Sequence, residues 1–182
     1  LDGRIGNKFL HPGPGYGGSC FPKDTQALVR IAQEHQASSR IVEAVIEVNA
    51  AQKARMIAKI RTALGGDEAG KKIAVLGLTF KPETDDMRDA PSLAILPALI
   101  DKGAQVRAHD PHGVREAKSL LPKSISYHDD IYDMLDGVDC VVLMTEWNQY
   151  RGLDLERVRG LMRGNAFVDL RNVYEPGAMH EA

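Results

Sequence analysis

The chain has 182 residues, of which 43% are hydrophobic and 26% charged, and its formal net charge is −2. This balance is typical of a globular protein, and without a basic excess we expect no non-specific binding of nucleic acid. No apolar run in the sequence is long enough for a membrane span. The two cysteines, Cys20 and Cys140, form no disulfide framework, which favours a reducing compartment, the cytoplasm.

The first 64 residues combine a flexible loop with two helical patterns. Residues 11–19 contain four glycines and two prolines, so we expect a loop there. Apolar spacing predicts a short helix that opens near Lys23 and ends near Gln36, with Pro22 and Asp24 suited to its first turn. A second helix is predicted over 40–64, roughly 37 Å long at about 1.5 Å per residue. We interpret it as a strut between domains.

From residue 73 onward the pattern alternates between strands and helices. Strands are predicted over 73–78, 105–109, 125–127, 139–145 and 166–170, and helices over 91–102, 114–119, 131–135 and 155–162. The strands are continuously apolar, which indicates a parallel sheet covered on both faces. We therefore predict an α/β fold with three parts: residues 1–64 with the loop and long helix, a linker over 65–72, and a Rossmann-like domain over 73–182.

Cys20 is the first candidate for chemistry. It lies between the glycine-rich loop and the start of a predicted helix, where the helix dipole and free N–H groups favour a thiolate. Lys23 adds positive charge three residues later, and Asp24 is placed to orient a water. The alternative is a small buried hydrophobic residue, which suits Cys140 within its apolar strand better.

A second candidate is the edge of the sheet where the parallel strands end. Ligands bind at the carboxyl ends of strands in such sheets, and Lys81 and Arg88 follow the first strand there. Asp110 and Arg171 follow two further strands, so we expect charged side chains on one rim, although a solvated charged loop is the alternative. A GxGxxG fingerprint is absent from the sequence, and its six histidines show no metal-ligand spacing.

Four segments in order resemble the nucleotide-sugar 6-dehydrogenase family, most closely its members that act on UDP-glucose. The most specific is the eleven-residue stretch over 14–24, Pro-Gly-Tyr-Gly-Gly-Ser-Cys-Phe-Pro-Lys-Asp. The others are Arg4-Ile5-Gly6, the turn over 77–88 with Phe80-Lys81-Pro82 and Asp85-Asp86-Met87-Arg88, and Thr145-Glu146-Trp147. The resemblance covers essentially the whole chain.

The resemblance implies oxidation of a sugar C6 alcohol to a carboxylate in two NAD-dependent steps, giving UDP-glucuronate from UDP-glucose. It implies that Cys20 forms a thiohemiacetal and then a thioester, which water hydrolyses with help from Asp24. It assigns Lys23 and Arg88 to cofactor binding. It assigns substrate contacts to Arg4, Tyr16, Gly17, Phe80, Lys81 and Arg171.

The resemblance also implies a homodimer built on the long helix, in which Arg4 reaches the substrate site of the neighbouring subunit. Because the chain starts at Leu1, we expect an N-terminal Rossmann domain to be missing, together with most of the NAD site, and this fragment to be inactive on its own. Two alternatives stay open: a GDP-mannose 6-dehydrogenase, and a nucleotide-sugar-binding module that has lost catalysis.

Overall fold

The computed structural model describes residue 6 and residues 11–181. Two helices come first, α1 over Phe21–Glu34 and α2 over Arg40–Ala63. As the sequence indicates, Pro22 and Asp24 lie in the first turn of α1. The 24-residue α2 ends before Gly65 and Gly66, both of which have positive φ, the backbone region that glycine adopts without strain.

A five-stranded parallel sheet follows. Its strands are β1 (Lys72–Leu76), β2 (Gln105–His109), β3 (Ser126–Tyr127), β4 (Cys140–Leu143) and β5 (Ala166–Asp169), in the order β3-β2-β1-β4-β5. All four pairings between neighbouring strands are parallel. The predicted α/β fold is therefore confirmed.

Helices cover both faces of the sheet, since alternate residues of each strand point in opposite directions. Ile73 and Val75 of β1 pack on one side, against the C-terminal half of α2, α3 (Ser92–Ile100) and α4 (Val114–Leu120). Ala74 and Leu76 pack on the other side, against α5 (Ile131–Leu135) and α6 (Leu155–Leu161). The core thus lies in two layers, one on each face.

Some element bounds differ from the predicted ones. The first strand ends at Leu76 rather than residue 78, because the chain turns at Gly77 with a φ of 89°. The strand predicted over 139–145 is shorter, at Cys140–Leu143. A 3-10 helix over Asn148–Gly152 and a C-terminal helix, α7, over Pro176–Glu181 were not predicted. Across the described residues, none of the helices combines the length and the apolar character needed to cross a membrane.

Candidate functional site

The candidate site begins at the carboxyl edge of the sheet. The strand order reverses between β1 and β4, and in open α/β sheets a crevice for ligands forms at that point. The loop after β1 bends sharply at Gly77, where an added Cβ would lie only 2.4 Å from Cβ of Thr145. The two loops that flank the reversal point are therefore packed directly against each other.

Asp110 does not point outward from this rim, so that part of the expectation is wrong. The residue is 4% exposed, and its carboxylate accepts hydrogen bonds from backbone N–H groups of the loops after β1 and β2. The donors are Leu78 at 2.6 Å, Gly113 at 2.7 Å, His112 at 3.0 Å and Thr79 at 3.2 Å. Its acceptor capacity is used inside the protein, so Asp110 organises the loops after β1 and β2 instead of binding a ligand.

Arg171 lies on the same rim, after β5, and is held by a carboxylate. Its Nε donates to Oε2 of Glu146, and both side chains are largely shielded from solvent, 15% and 27% exposed. A Cβ added at Gly13 would lie 2.3 Å from Nη1 of Arg171, so the guanidinium also packs against the glycine-rich loop. Glu146 was not predicted as a site residue, although it belongs to the Thr145-Glu146-Trp147 segment.

The glycine-rich loop packs against the turn that follows β1. A Cβ at Gly17 would lie 2.5 Å from the carbonyl oxygen of Asp89 and 3.0 Å from Cβ of Phe80. Gly18 has a φ of 92°, and its N–H donates to the carbonyl of Arg88 at 2.7 Å. The absence of side chains at both glycines permits this close approach, which brings Gly17 and Gly18 against Phe80, with Tyr16 next to them in the loop.

Cys20 is the N-cap residue of α1, and its side chain is exposed. The hydroxyl oxygen of Ser19 lies 3.5 Å from its sulfur. The free N–H groups of the first helical turn and the helix dipole favour an anion at this end. Position and exposure therefore suit a nucleophile, whereas Cys140 is fully buried, and burial raises the pKa of its thiol to about 12.

Two cations flank Cys20, each already paired with a neighbouring carboxylate. The hydrogen bond that Lys23 donates to Asp24 raises the pKa of Lys23, and those that the Arg88 guanidinium donates to Asp86 raise the pKa of Arg88. Electrostatic attraction to Cys20 contributes in the same direction to both pKa values. The side chains of Lys23 and Arg88 are 71% and 68% exposed, so both can still meet an anionic ligand.

Two predicted site residues remain, Lys81 and Arg4, and the structure describes only Lys81. Lys81 is exposed, and its Nζ lies 5.4 Å from the ring centroid of Phe80 on the same rim. Arg4 lies outside the described residues. Within the part of the chain that is described, no group of three or more histidine, cysteine or acidic side chains could hold a metal ion.

Comparison with known families gives two matches that together span most of the chain. Residues 74–176 match the UDP binding domain of the UDP-glucose/GDP-mannose dehydrogenase family. The chain belongs to this family. Residues 1–51 match the central domain of the same family, so the loop, Cys20 and the first half of α2 fall within that second match.

Individual relatives agree with this membership. The chain is 52% identical over 174 residues to a UDP-glucose 6-dehydrogenase of Rhizobium meliloti, covering 96% of this chain and 40% of the relative. It is 43% identical to one of Pseudomonas aeruginosa, covering 99% of this chain and 41% of the relative. A solved UDP-glucose dehydrogenase from Pyrobaculum islandicum superimposes with a TM-score of 0.83 at 39% identity, over 95% of this chain and 38% of that one. The chain thus spans about two fifths of the length of these relatives.

Proposed function

We propose that this chain supplies the nucleophile and the nucleotide-binding half of a UDP-glucose 6-dehydrogenase. The observation that supports this best is the exposed Cys20 at the start of α1, on a loop that packs against Phe80 and Arg171 at the carboxyl edge of the sheet. The UDP binding domain match and the names of the relatives support UDP-glucose as the substrate.

In the proposed mechanism, the C6 alcohol of the substrate first loses a hydride from C6 and a proton from its hydroxyl, which gives an aldehyde. The Cys20 sulfur then attacks C6 and forms a C–S bond, while the thiol proton passes to the aldehyde oxygen, giving a thiohemiacetal. Loss of a hydride from C6 and a proton from its hydroxyl gives a thioester. Water then breaks the C–S bond, which yields the carboxylate and restores the thiol. Asp24, in the first turn of α1, would orient that water and accept its proton.

NAD fits the cations beside Cys20. Lys23 lies in the first turn of α1, and the carbonyl of Arg88 accepts from the N–H of Gly18. Both side chains remain mostly exposed, as residues that bind a pyrophosphate must be. When bound, NAD would accept the hydride lost in each of the two oxidations. We infer that the remaining residues of the cofactor site belong to the part of the relatives' length that this chain does not match.

The nucleotide-sugar is assigned to the rim of the sheet. Arg171 is held by Glu146 so that its guanidinium lies at the glycine-rich loop, and Lys81 extends from the turn after β1. A fixed guanidinium and an exposed ammonium suit the two phosphates of UDP. Tyr16, Gly17 and Phe80 would contact the sugar side of the same ligand.

A direct assay tests this proposal against its two alternatives. The full-length protein that carries this chain is given NAD with UDP-glucose or with GDP-mannose, and NADH is counted per nucleotide-sugar consumed. We expect two NADH per UDP-glucose. Preference for GDP-mannose supports the first alternative, and binding of UDP without NADH formation supports a non-catalytic module.

The compartment we propose, the cytoplasm, agrees with the two free cysteines.

We also propose a homodimer that pairs α2 with its copy. Ile41 and Val48 are 82% and 67% exposed on α2, and an apolar helix face of this kind is buried by a partner in a stable assembly. Such a pairing would bring Arg4 of one subunit toward Cys20 of the other.

Sedimentation velocity tests the dimer. The double variant Ile41→Glu with Val48→Glu is expected to sediment as a monomer, because it places charges in the interface. Leu120→Glu is the control, since Leu120 is similarly exposed, at 55%, but lies on α4. A wild-type protein that sediments as a monomer contradicts the proposal.

A further inference from the structure

Asn49 lies in the middle of α2 and forms a reciprocal pair of hydrogen bonds with the backbone of Tyr16. The N–H of Tyr16 donates to Oδ1 of Asn49 at 2.8 Å, and Nδ2 of Asn49 donates to the carbonyl of Tyr16 at 3.3 Å. A neighbouring β-strand would satisfy the Tyr16 backbone in the same way. One side chain thus replaces a strand as the partner of the glycine-rich loop.

Of the neighbours of Asn49 on α2, Gln52 contacts the same loop and Lys53 contacts the turn after β1. Nε2 of Gln52 donates to the carbonyl of Gly13 at 2.9 Å, and Nζ of Lys53 donates to the carbonyl of Asp89 at 3.2 Å. Gly15 has a φ of 126°, and an added Cβ would lie 2.9 Å from Oδ1 of Asn49. The glycine lets the loop approach the helix closely enough for the Asn49 bonds to form.

The opposite side of the loop packs on the turn after β1, as described for Gly17 and Gly18. The loop is therefore held between two surfaces, α2 on one side and Phe80 with Asp89 on the other. Cys20 follows four residues after Tyr16, and the Tyr16 ring packs edge-on against Phe21 with ring centroids 4.7 Å apart. The contacts that hold Tyr16 in place therefore also hold the start of α1.

Helix propensity does not explain an asparagine at this position. Asparagine is less favourable than alanine inside a helix, because its short polar side chain competes for backbone hydrogen bonds. Here the amide is half-buried and spends both of its functional groups on a loop 33 residues away. These contacts indicate that the role of Asn49 is to hold the loop rather than to stabilise α2.

We propose that Asn49 is a positioning residue, which holds the glycine-rich loop of residues 13–18 and thereby fixes the Cys20 thiol relative to the substrate. The catalytic part of this inference rests on the proposed function, whereas the part that concerns the loop does not. Because α2 also carries the proposed dimer surface, the same helix would link that surface to the nucleophile.

Hydrogen exchange measured on this chain tests the hold on the loop. Asn49→Leu removes both hydrogen bonds and keeps a good helix former, and Asn165→Leu is the matched control at an exposed asparagine between α6 and β5. We expect amides of residues 13–20 to exchange faster in Asn49→Leu only, with the sheet unchanged. Unchanged exchange in the loop overturns the proposal.

Alkylation of Cys20 by iodoacetamide tests the link to the nucleophile without any assay of catalysis, with buried Cys140 as an unreactive internal reference. A displaced loop moves the thiol away from the N–H groups at the start of α1, which favour an anion, so we expect the rate to fall about threefold or more in Asn49→Leu. Asn49→Asp keeps the acceptor and loses the donor, so it should fall between wild type and Asn49→Leu. Equal rates in all three proteins overturn the proposal.

Steady-state kinetics of the full-length protein completes the test. Misplacing a nucleophile should lower kcat by roughly tenfold to a hundredfold, with KM for NAD nearly unchanged. An unchanged kcat together with faster loop exchange shows a purely structural Asn49 and overturns the proposal. If the wild type oxidises no nucleotide-sugar, the proposed function fails, and the exchange and alkylation contrasts still decide whether Asn49 positions Cys20.

Discussion

The two helices at the start of the chain and the sheet that follows bury their residues very differently. Among the residues of α1 only Pro22 is buried, and among the 24 of α2 only Met56 and Ile60 are. In the sheet, every residue of β4 is buried, as are four of the five in β1. The sheet region therefore carries its own core, whereas the helical region exposes its side chains and presents the reactive ones.

This contrast shows how the work of the site is divided. The helical region supplies exposed groups that can react, such as Cys20 and Lys23, and holds their loop by hydrogen bonds from α2 rather than by buried apolar contacts. The sheet region supplies rigid, buried contacts such as those of Asp110, and the loops that those contacts fix. The predictions below test each half of this division.

Replacing the two cysteines by serine gives the largest expected difference. In the full-length protein, Cys20→Ser should lower net turnover by about three orders of magnitude or more, because a serine hydroxyl is a far weaker nucleophile. Cys140→Ser should leave kcat nearly unchanged and lower stability only, since it places a hydroxyl in the core. NADH formation and urea unfolding measure the two effects. Similar turnover in Cys20→Ser and wild type would sink the nucleophile assignment.

Asp110→Ala should strongly destabilise the sheet region. The substitution leaves backbone N–H groups of two loops without their buried acceptor, so we expect the free energy of unfolding to fall by about 3–5 kcal/mol. Asp101→Ala, at an exposed position at the end of α3, is the control and should change it by about 0.5 kcal/mol or less. Urea denaturation followed by circular dichroism measures both. A loss equal to that of the control shows that Asp110 does not organise the loops.

The fold could be predicted largely from the sequence because hydrophobic periodicity reports which faces are buried. The bounds of β2 and α5, at 105–109 and 131–135, agree with the prediction. The 3-10 helix at Asn148–Gly152 was missed, since its place is fixed by Tyr150, whose hydroxyl donates to the carbonyl of His109 across the chain. No local pattern reports such a contact.

The site could be predicted only where residue type alone suggests chemistry. Cys20 beside a glycine-rich loop is such a case. The direction of a side chain is not, and so Asp110 was placed on the rim although it points inward. Asn49 and Glu146 were missed because their partners, Tyr16 and Arg171, lie 33 and 25 residues away. An asparagine inside an alanine-rich helix was the one available signal for Asn49.

Arg171 and Arg163 offer a comparison within the sheet region. Each guanidinium is paired with a carboxylate, but Arg171 follows β5 at the carboxyl edge, whereas Arg163 pairs with Asp139, which precedes β4 at the opposite edge. Arg171→Lys should weaken UDP binding about tenfold, because lysine cannot keep the planar contact with Glu146 and still meet a phosphate. Arg163→Lys should leave UDP affinity unchanged. Isothermal titration measures both, and equal losses would place the nucleotide elsewhere.

The Asp139 pair should give the smallest effect, a change in how stability depends on pH. The side-chain hydrogen bond from Arg163 lowers the pKa of Asp139 below its usual 3.8. The backbone N–H of Lys72, which donates to Oδ2 of Asp139 at 2.7 Å, lowers it further. A carboxyl group whose pKa is lower in the folded state stabilises the protein at pH values above its unfolded pKa. This stabilisation is lost as the pH falls through the folded pKa. The difference in unfolding free energy between wild type and Asp139→Asn should therefore be constant above about pH 5 and shrink below about pH 4. Arg163→Gln should reproduce most of this change, because it removes the main donor. Urea denaturation from pH 7 to pH 3 measures it, and a difference that grows as pH falls would show that Asp139 is not stabilised as a carboxylate.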